Sequence, residues 1–139
     1  MKIVYYSQSG NTENMAEIIK KEMESAGQNV ELLNVENASY DDIKDQEVII
    51  LGCPASGDEI IEEFSMEPFV ENLSDKIKGK KVALFGSYGW GEGQWMEDWQ
   101  ERMVSYGAEL VAKGLIVNEA EDGDEKCAKF AKEILKTIN

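Results

Sequence analysis

Residues 3–12 read Ile3-Val4-Tyr5-Tyr6-Ser7-Gln8-Ser9-Gly10-Asn11-Thr12, and this stretch decides the fold. The first four residues put apolar groups on both faces of an extended chain, as a strand buried inside a parallel sheet must. Six polar or glycine residues follow. Beyond them Met15, Ile18, Ile19, Met23 and Ala26 fall at helical spacing on one stripe, and Gly27 stands where a helix would stop. A buried strand, a polar turn and an amphipathic helix therefore open the chain.

The same alternation repeats to the end. Val30–Val35 reads as a second strand. Ser39 suits the N-cap of a short helix carrying Tyr40 and Ile43, with Asp41 and Asp42 at its positive end. Val48-Ile49-Ile50-Leu51 is the most apolar stretch and reads as a central strand; a long acidic loop, Gly52–Ser65, follows it. Pro68 suits the first turn of a helix with Phe69, Leu73 and Ile77. Val82-Ala83-Leu84-Phe85 is a fourth strand, and Gly86–Gly93 is glycine-rich. Trp95, Met96, Trp99, Met103 and Tyr106 mark a helix ended by Gly107. Glu109–Ala112 and Leu115–Val117 make a fifth strand with a break at Lys113-Gly114. Cys127, Phe130, Ala131, Ile134, Leu135 and Ile138 mark the last helix. The order βαβαβαβαβα predicts an α/β fold: a five-stranded parallel sheet with helices on both faces, one domain over residues 1–139. In such sheets ligands bind beyond the carboxyl ends of the strands. Three loops of unusual composition leave those ends: Ser7–Thr12, Gly52–Glu63 and Gly86–Gly93.

Composition narrows the function. The 139 residues are 42% hydrophobic and 30% charged with two prolines, which rules out a disordered tail or a fibre. Lys and Arg number 14 against 28 Asp and Glu, a formal charge of −14. Nucleic acid and membrane surfaces are thereby disfavoured; a basic docking partner, or a site tuned by negative charge, fits better. No histidine is present, which excludes Ser-His and Cys-His catalysis and histidine-ligated metals. Cys53 and Cys127 form no C-x-x-C, and two thiolates cannot hold an iron–sulfur cluster by themselves. They read as buried thiols of a reducing cytoplasm. Ser7, Gln8, Ser9 and Asn11 cut short any signal-peptide core, and no apolar run approaches the ~20 residues of a membrane span. A cytoplasmic protein is expected.

Each loop has a chemical and a plainer reading. Ser7-Gln8-Ser9-Gly10-Asn11-Thr12 offers hydroxyls, an amide and a flexible glycine at a helix N-terminus, where N–H groups and the helix dipole favour an anion. It lacks the P-loop lysine, and an ordinary polar turn with an N-cap has the same composition. Gly57-Asp58 is turn chemistry: a peptide there can flip and exchange a C=O for an N–H toward a ligand, or simply form a surface turn. Trp90, on a loop among glycines, suits stacking on a flat ring or folding back as a lid. Trp95, Trp99 and Met103, at helical spacing, read as core. Asp58, Glu59, Glu62, Glu63 and Glu67 read as a solvated acidic face bordering the site.

At these loops the chain resembles the flavodoxins, over essentially its whole length. Ser7-Gln8-Ser9-Gly10-Asn11-Thr12 is similar to their Ser/Thr-x-Thr-Gly-Asn-Thr phosphate loop, with Ser9 at the usual Thr. Pro54-Ala55-Ser56-Gly57-Asp58-Glu59 resembles their flavin loop. Gly86-Ser87-Tyr88-Gly89-Trp90-Gly91 resembles the second flavin loop of the short-chain clostridial type. The resemblance implies a three-layer sandwich with strand order 2-1-3-4-5 and non-covalently bound FMN. Ser7, Ser9, Asn11 and Thr12, with the amides of the loop that includes Gln8 and Gly10, would hold the phosphate. Trp90 would stack on the outer face of the ring. Gly57 would turn its carbonyl toward the reduced ring after a flip of the 57–58 peptide, and Glu59 would accept from the imide N–H. Amides near Gly89 and Gly91 would meet the pyrimidine end. Ser56 departs from the pattern, standing where a bulky apolar residue usually covers the inner face. The implied function is low-potential electron transfer, not enzymic catalysis. A monomeric carrier shuttles between semiquinone and hydroquinone and serves redox partner proteins that dock through basic patches. A small FMN-dependent quinone or NAD(P)H reductase is the alternative on the same topology.

Overall fold

Alternation along each strand builds the fold. In a strand, neighbouring side chains point to opposite faces. Val4, Ile49, Leu51, Val82 and Leu84 therefore fall into one core with Phe69, Val70, Trp95, Trp99 and Met103. Ile3, Tyr5, Val48, Ile50, Ala83 and Phe85 fall into a second with Met15, Ile19, Met23, Phe130 and Ile134. Both faces of the sheet are buried, which is why these strands read as continuous apolar runs. The structure is a computed structural model that describes residues 1–138.

The elements are β1 (Lys2–Tyr5), α1 (Asn11–Ser25), β2 (Glu31–Asn34), α2 (Tyr40–Ile43), β3 (Val48–Gly52), α3 (Met66–Glu71), β4 (Lys81–Tyr88), α4 (Gln94–Ser105), β5 (Glu109–Leu110), β6 (Leu115–Asn118) and α5 (Asp124–Leu135). The strands are parallel in the order β2-β1-β3-β4-β5, with β6 also on β4. Register pairs Val4 with Leu51 and Gly52 with Phe85. One core carries α1 and α5, the other α3 and α4, giving three layers. The expected sheet and strand order are present.

Several boundaries differ from expectation. The fifth strand is two strands: Glu109–Leu110 pairs with Lys81–Val82, and Leu115–Asn118 pairs with Phe85–Tyr88. Between them Gly114 lies so close to α4 that a Cβ there would sit 2.6 Å from Met96 Sδ. β4 extends to Tyr88, so only Gly89–Gly93 of the expected glycine loop lies outside the sheet. Pairing with β6 and the Ala55 N–H donated to the Ser87 carbonyl at 3.0 Å hold that extension. α3 starts at Met66, two residues before Pro68, and ends before Leu73 and Ile77, which stay fully buried from the turns beyond it. α5 ends at Leu135, before Ile138. β2 is shorter than Val30–Val35 because Val35 opens a 3-10 turn over Val35–Asn37.

Candidate functional site

The carboxyl ends of β1, β3 and β4 bring the three loops together. In the first, Gly10 has φ +94°, a left-handed conformation open to glycine, and turns the chain into α1. Ser7 Oγ accepts from the Gly10 N–H at 3.1 Å and the Glu13 N–H at 3.2 Å. Asn11 Nδ2 donates to Ser9 Oγ at 3.0 Å. The first amides of a helix have no carbonyl within it, and among the described residues no acceptor takes those of Asn11 and Thr12. The positive end of a 15-residue helix thus faces an exposed loop. Thr12 and Ser87 are buried, their hydroxyl oxygens 2.8 Å apart, and they tie this loop to β4.

The second loop is a tight hairpin. Ser56 and Ile60 exchange both backbone bonds, at 2.8 and 3.0 Å. Between them Gly57 has φ +50° and Glu59 φ +58°. The base of the loop is clasped where the Glu62 N–H donates to Cys53 Sγ at 3.3 Å. Glu59 reaches across to the third loop, its Oε1 accepting from the Gly93 and Gln94 amides at 3.3 and 3.1 Å.

Two acids leave the solvated face expected of them. Glu62 is 7% exposed and its carboxylate accepts from the N–H groups of Phe64, Ser65 and Met66 at 2.7, 2.7 and 2.8 Å. It caps the entry to α3, where three amides would otherwise lack partners. Glu67 forms a two-pronged pair with Arg102, one bond at 2.7 Å to Nη1 and a second to Nη2. That pairing holds the Glu67 carboxyl below its ordinary range. Asp58 and Glu63 remain exposed. A cavity of about 110 Å³ beside this pair is lined by Glu59, Ile60, Ile61, Trp95 and Trp99.

In the third loop Trp90 is 65% exposed, not folded back onto the protein. Trp95 and Trp99 are core, as their spacing indicates, and Trp95 Nε1 donates to the Cys53 carbonyl at 3.2 Å. Gly89 lies against Glu119, whose Oε2 would be 3.0 Å from a Cβ on Gly89. Glu119 thus joins the site's border unannounced by the sequence; its place follows from the late pairing of β6 with β4. Ser56 is half-buried, and Met66 is wholly buried in the core.

The charge distribution follows the topology. Residues 3–19, 31–43, 45–75, 82–101 and 114–125 contain no Lys or Arg. The loops after β1, β3 and β4 all lie within those segments, so an anion bound among them is held by amides, hydroxyls and a helix dipole. Tyr6, at the end of β1, shows the acidic surroundings: burial first, then the Glu62 and Glu36 carboxylates, push its phenol up.

These loops fit FMN: a terminal phosphate matches the unclaimed amides at α1, and a flat ring matches the exposed Trp90 between Gly89 and Gly91. Comparison with known proteins agrees. The flavodoxin family model matches residues 3–130. The chain is 51% identical to the flavodoxin of Clostridium beijerinckii over 135 residues, covering 96% of this chain and 98% of that one. It is 44% identical to the flavodoxin of Megasphaera elsdenii over 136 residues, 98% of each. The solution structure of two-electron reduced Megasphaera elsdenii flavodoxin superposes with a TM-score of 0.89 at 45% identity, covering 97% of this chain and 98% of that one. By sequence and by fold the chain belongs to the flavodoxin family, whose members bind FMN and transfer electrons and are not enzymes.

Proposed function

We propose that this chain is a monomeric, cytoplasmic, low-potential carrier that passes single electrons to partner proteins docking on its acidic loop end through basic patches. FMN bound between the loops supplies a ring that takes up and releases one electron at a time. The chain's residues do the rest. Ser7, Ser9, Asn11 and Thr12, with the amides around Gln8 and Gly10, hold the phosphate at the positive end of α1. Trp90 covers the outer face of the ring, and Pro54, Ala55 and Ser56 border its inner side. Gly57, Asp58 and Glu59 meet its polar edge, and Ser87, Tyr88, Gly89 and Gly91 border its remaining side.

The observation that carries this reading is the convergence, without one cation, of an amide-lined helix N-terminus, a left-handed Gly57 turn and an exposed Trp90. Cation-free binding of a dianion suits a carrier: a neighbouring acidic field disfavours the extra electron and lowers the potential. A charge of −14 also opposes self-association. Titration of the purified chain with FMN and riboflavin, followed by redox titration, tests it. FMN is expected to bind much more tightly than riboflavin, with the lower of its two one-electron couples at strongly negative potential. Equal affinity for the two flavins would remove the phosphate loop's role. Sustained NAD(P)H oxidation with a quinone would favour a reductase.

A further inference from the structure

Helix α4 opens on Gly93 and its first helical residue is Gln94. Both amides donate to one oxygen, Glu59 Oε1, which comes from the other flavin loop. Glu59 is the one non-glycine residue among the described ones with a left-handed backbone, at φ +58°. A Cβ disfavours that conformation, so the surroundings must hold it there. The hairpin bonds between Ser56 and Ile60 hold it from one side. The side chain's grip on α4 holds it from the other. Gly91 leaves the room this requires: a Cβ on it would lie 2.5 Å from the Glu59 carboxylate.

We propose that Glu59 is a latch between the two flavin loops. The Gly93 and Gln94 amides at the start of α4 fix its carboxylate, and through it the 57–59 turn with its left-handed ends at Gly57 and Glu59, against the third loop. Gln94, outside all three loops, is thereby a positioning residue through its backbone N–H and not its side chain. The Gln94 side chain is engaged elsewhere, Nε2 donating to Asp98 Oδ1 at 2.9 Å. The effect on cofactor rests on the function proposed above; the latch itself does not.

Gln94→Pro removes the N–H at the first helical position, where proline is well tolerated. Gln94→Ala removes only the side-chain bond. In the full chain, Gln94→Ala should keep the FMN dissociation constant within about twofold of the parent, whereas Gln94→Pro should raise it about fivefold. Gln94→Pro should also lower the upper one-electron couple by about 40 mV, the equivalent of a fivefold change. In a double-mutant cycle Glu59→Ala with Gln94→Pro should be no worse than Glu59→Ala alone. Independently of flavin, hydrogen exchange at the Gly93 and Gln94 amides should speed up about tenfold in Glu59→Ala. This arm stands even if Gln94→Pro fails to fold. Unchanged exchange in Glu59→Ala would overturn the latch. Equal affinity and potential in Gln94→Pro and Gln94→Ala would overturn its coupling to the cofactor. Failure of the parent chain to bind FMN, with the exchange effect present, would overturn the proposed function and leave the latch standing.

Discussion

Gly57 carries the most consequence per atom. Its φ is +50° and an added Cβ would meet nothing within 4 Å, so substitution there tests backbone preference without a clash. A Cβ penalises left-handed φ by about 1–2 kcal/mol. If that backbone is what turns the Gly57 carbonyl to the reduced ring, Gly57→Ala should lower the upper one-electron couple by about 40–90 mV; an unchanged potential in a redox titration would count against the flip. At the preceding residue, both backbone groups of Ser56 are taken by Ile60, so Ser56→Met changes the side chain alone. Met66 is locked in the core, and a methionine at 56 should tighten FMN by about 1 kcal/mol, part of the value of a buried Met. Fluorescence titration showing weaker binding would mean the inner face is already filled. The thiols make a separate test. Burial pushes Cys53 and Cys127, on opposite faces of the sheet, up to about 12 from 9.0. An acid whose pKa rises on folding stabilises the fold below its unfolded value and loses that contribution as pH rises through the folded one. Stability should decline between about pH 9 and 12, and Cys127→Ala should flatten the decline in urea midpoints taken across that window. The same slope with and without the thiol would assign the decline to other groups, Tyr5 first, whose phenol burial also pushes up to about 12.

Among the elements, α3 depends on a residue outside it. Six residues are too few to form a stable helix alone, and the Glu62 carboxylate supplies the acceptors for its entry. Glu62→Ala should cost about 3 kcal/mol, the upper end for one buried unsatisfied donor, because water can reach the part-buried Phe64 and Ser65 amides. Glu62→Gln, which keeps one acceptor oxygen, should cost less. Urea denaturation measures both, and equal losses would show that the carboxylate is not the cap. The sequence carried no sign of this role, since a glutamate in an acidic run has the same composition whether solvated or capping. β1, α1, β3 and α4 were legible because their apolar periodicity is local and strong. β5 and β6 read as one strand because the bend between them answers to packing of Gly114 on α4, a tertiary contact. β4 read short because Gly86 and Ser87 are poor strand formers and only β6 and Ala55 recruit them. The three loops were legible as a set, each following its proper strand. Their cross-links, Thr12 to Ser87 and Glu59 to α4, join residues far apart in sequence and leave no local pattern.

At the scale of the molecule, topology sorts charge: the loops after β1, β3 and β4 hold acids and no cation, while Lys2, Lys44, Lys80 and Lys81 flank the amino ends of the strands. Asp58, Glu63 and Glu92 are exposed at the acidic end, whereas Glu62 and Glu67 are committed to a cap and an ion pair. Adding an electron to FMN there sets like charges against each other. A carboxylate about 12 Å away at an effective dielectric near 40 contributes about 0.7 kcal/mol before screening. Three together give about 2 kcal/mol, cut to about 0.5 kcal/mol by a Debye length of about 8 Å and to about 1.4 kcal/mol by one of about 30 Å. Converting Asp58, Glu63 and Glu92 together to their amides should therefore raise the lower one-electron couple by about 20 mV at physiological salt and about 60 mV at 0.01 M. The same acids should steer basic partners, so electron transfer to a basic c-type cytochrome should slow as salt rises, and in the triple variant that dependence should flatten. Stopped-flow rates and potentials at the two ionic strengths decide it. If the potential shift does not grow as salt falls, or the rate keeps its full salt dependence, these carboxylates are only a solvated surface, and both the low potential and the docking must come from elsewhere in the chain.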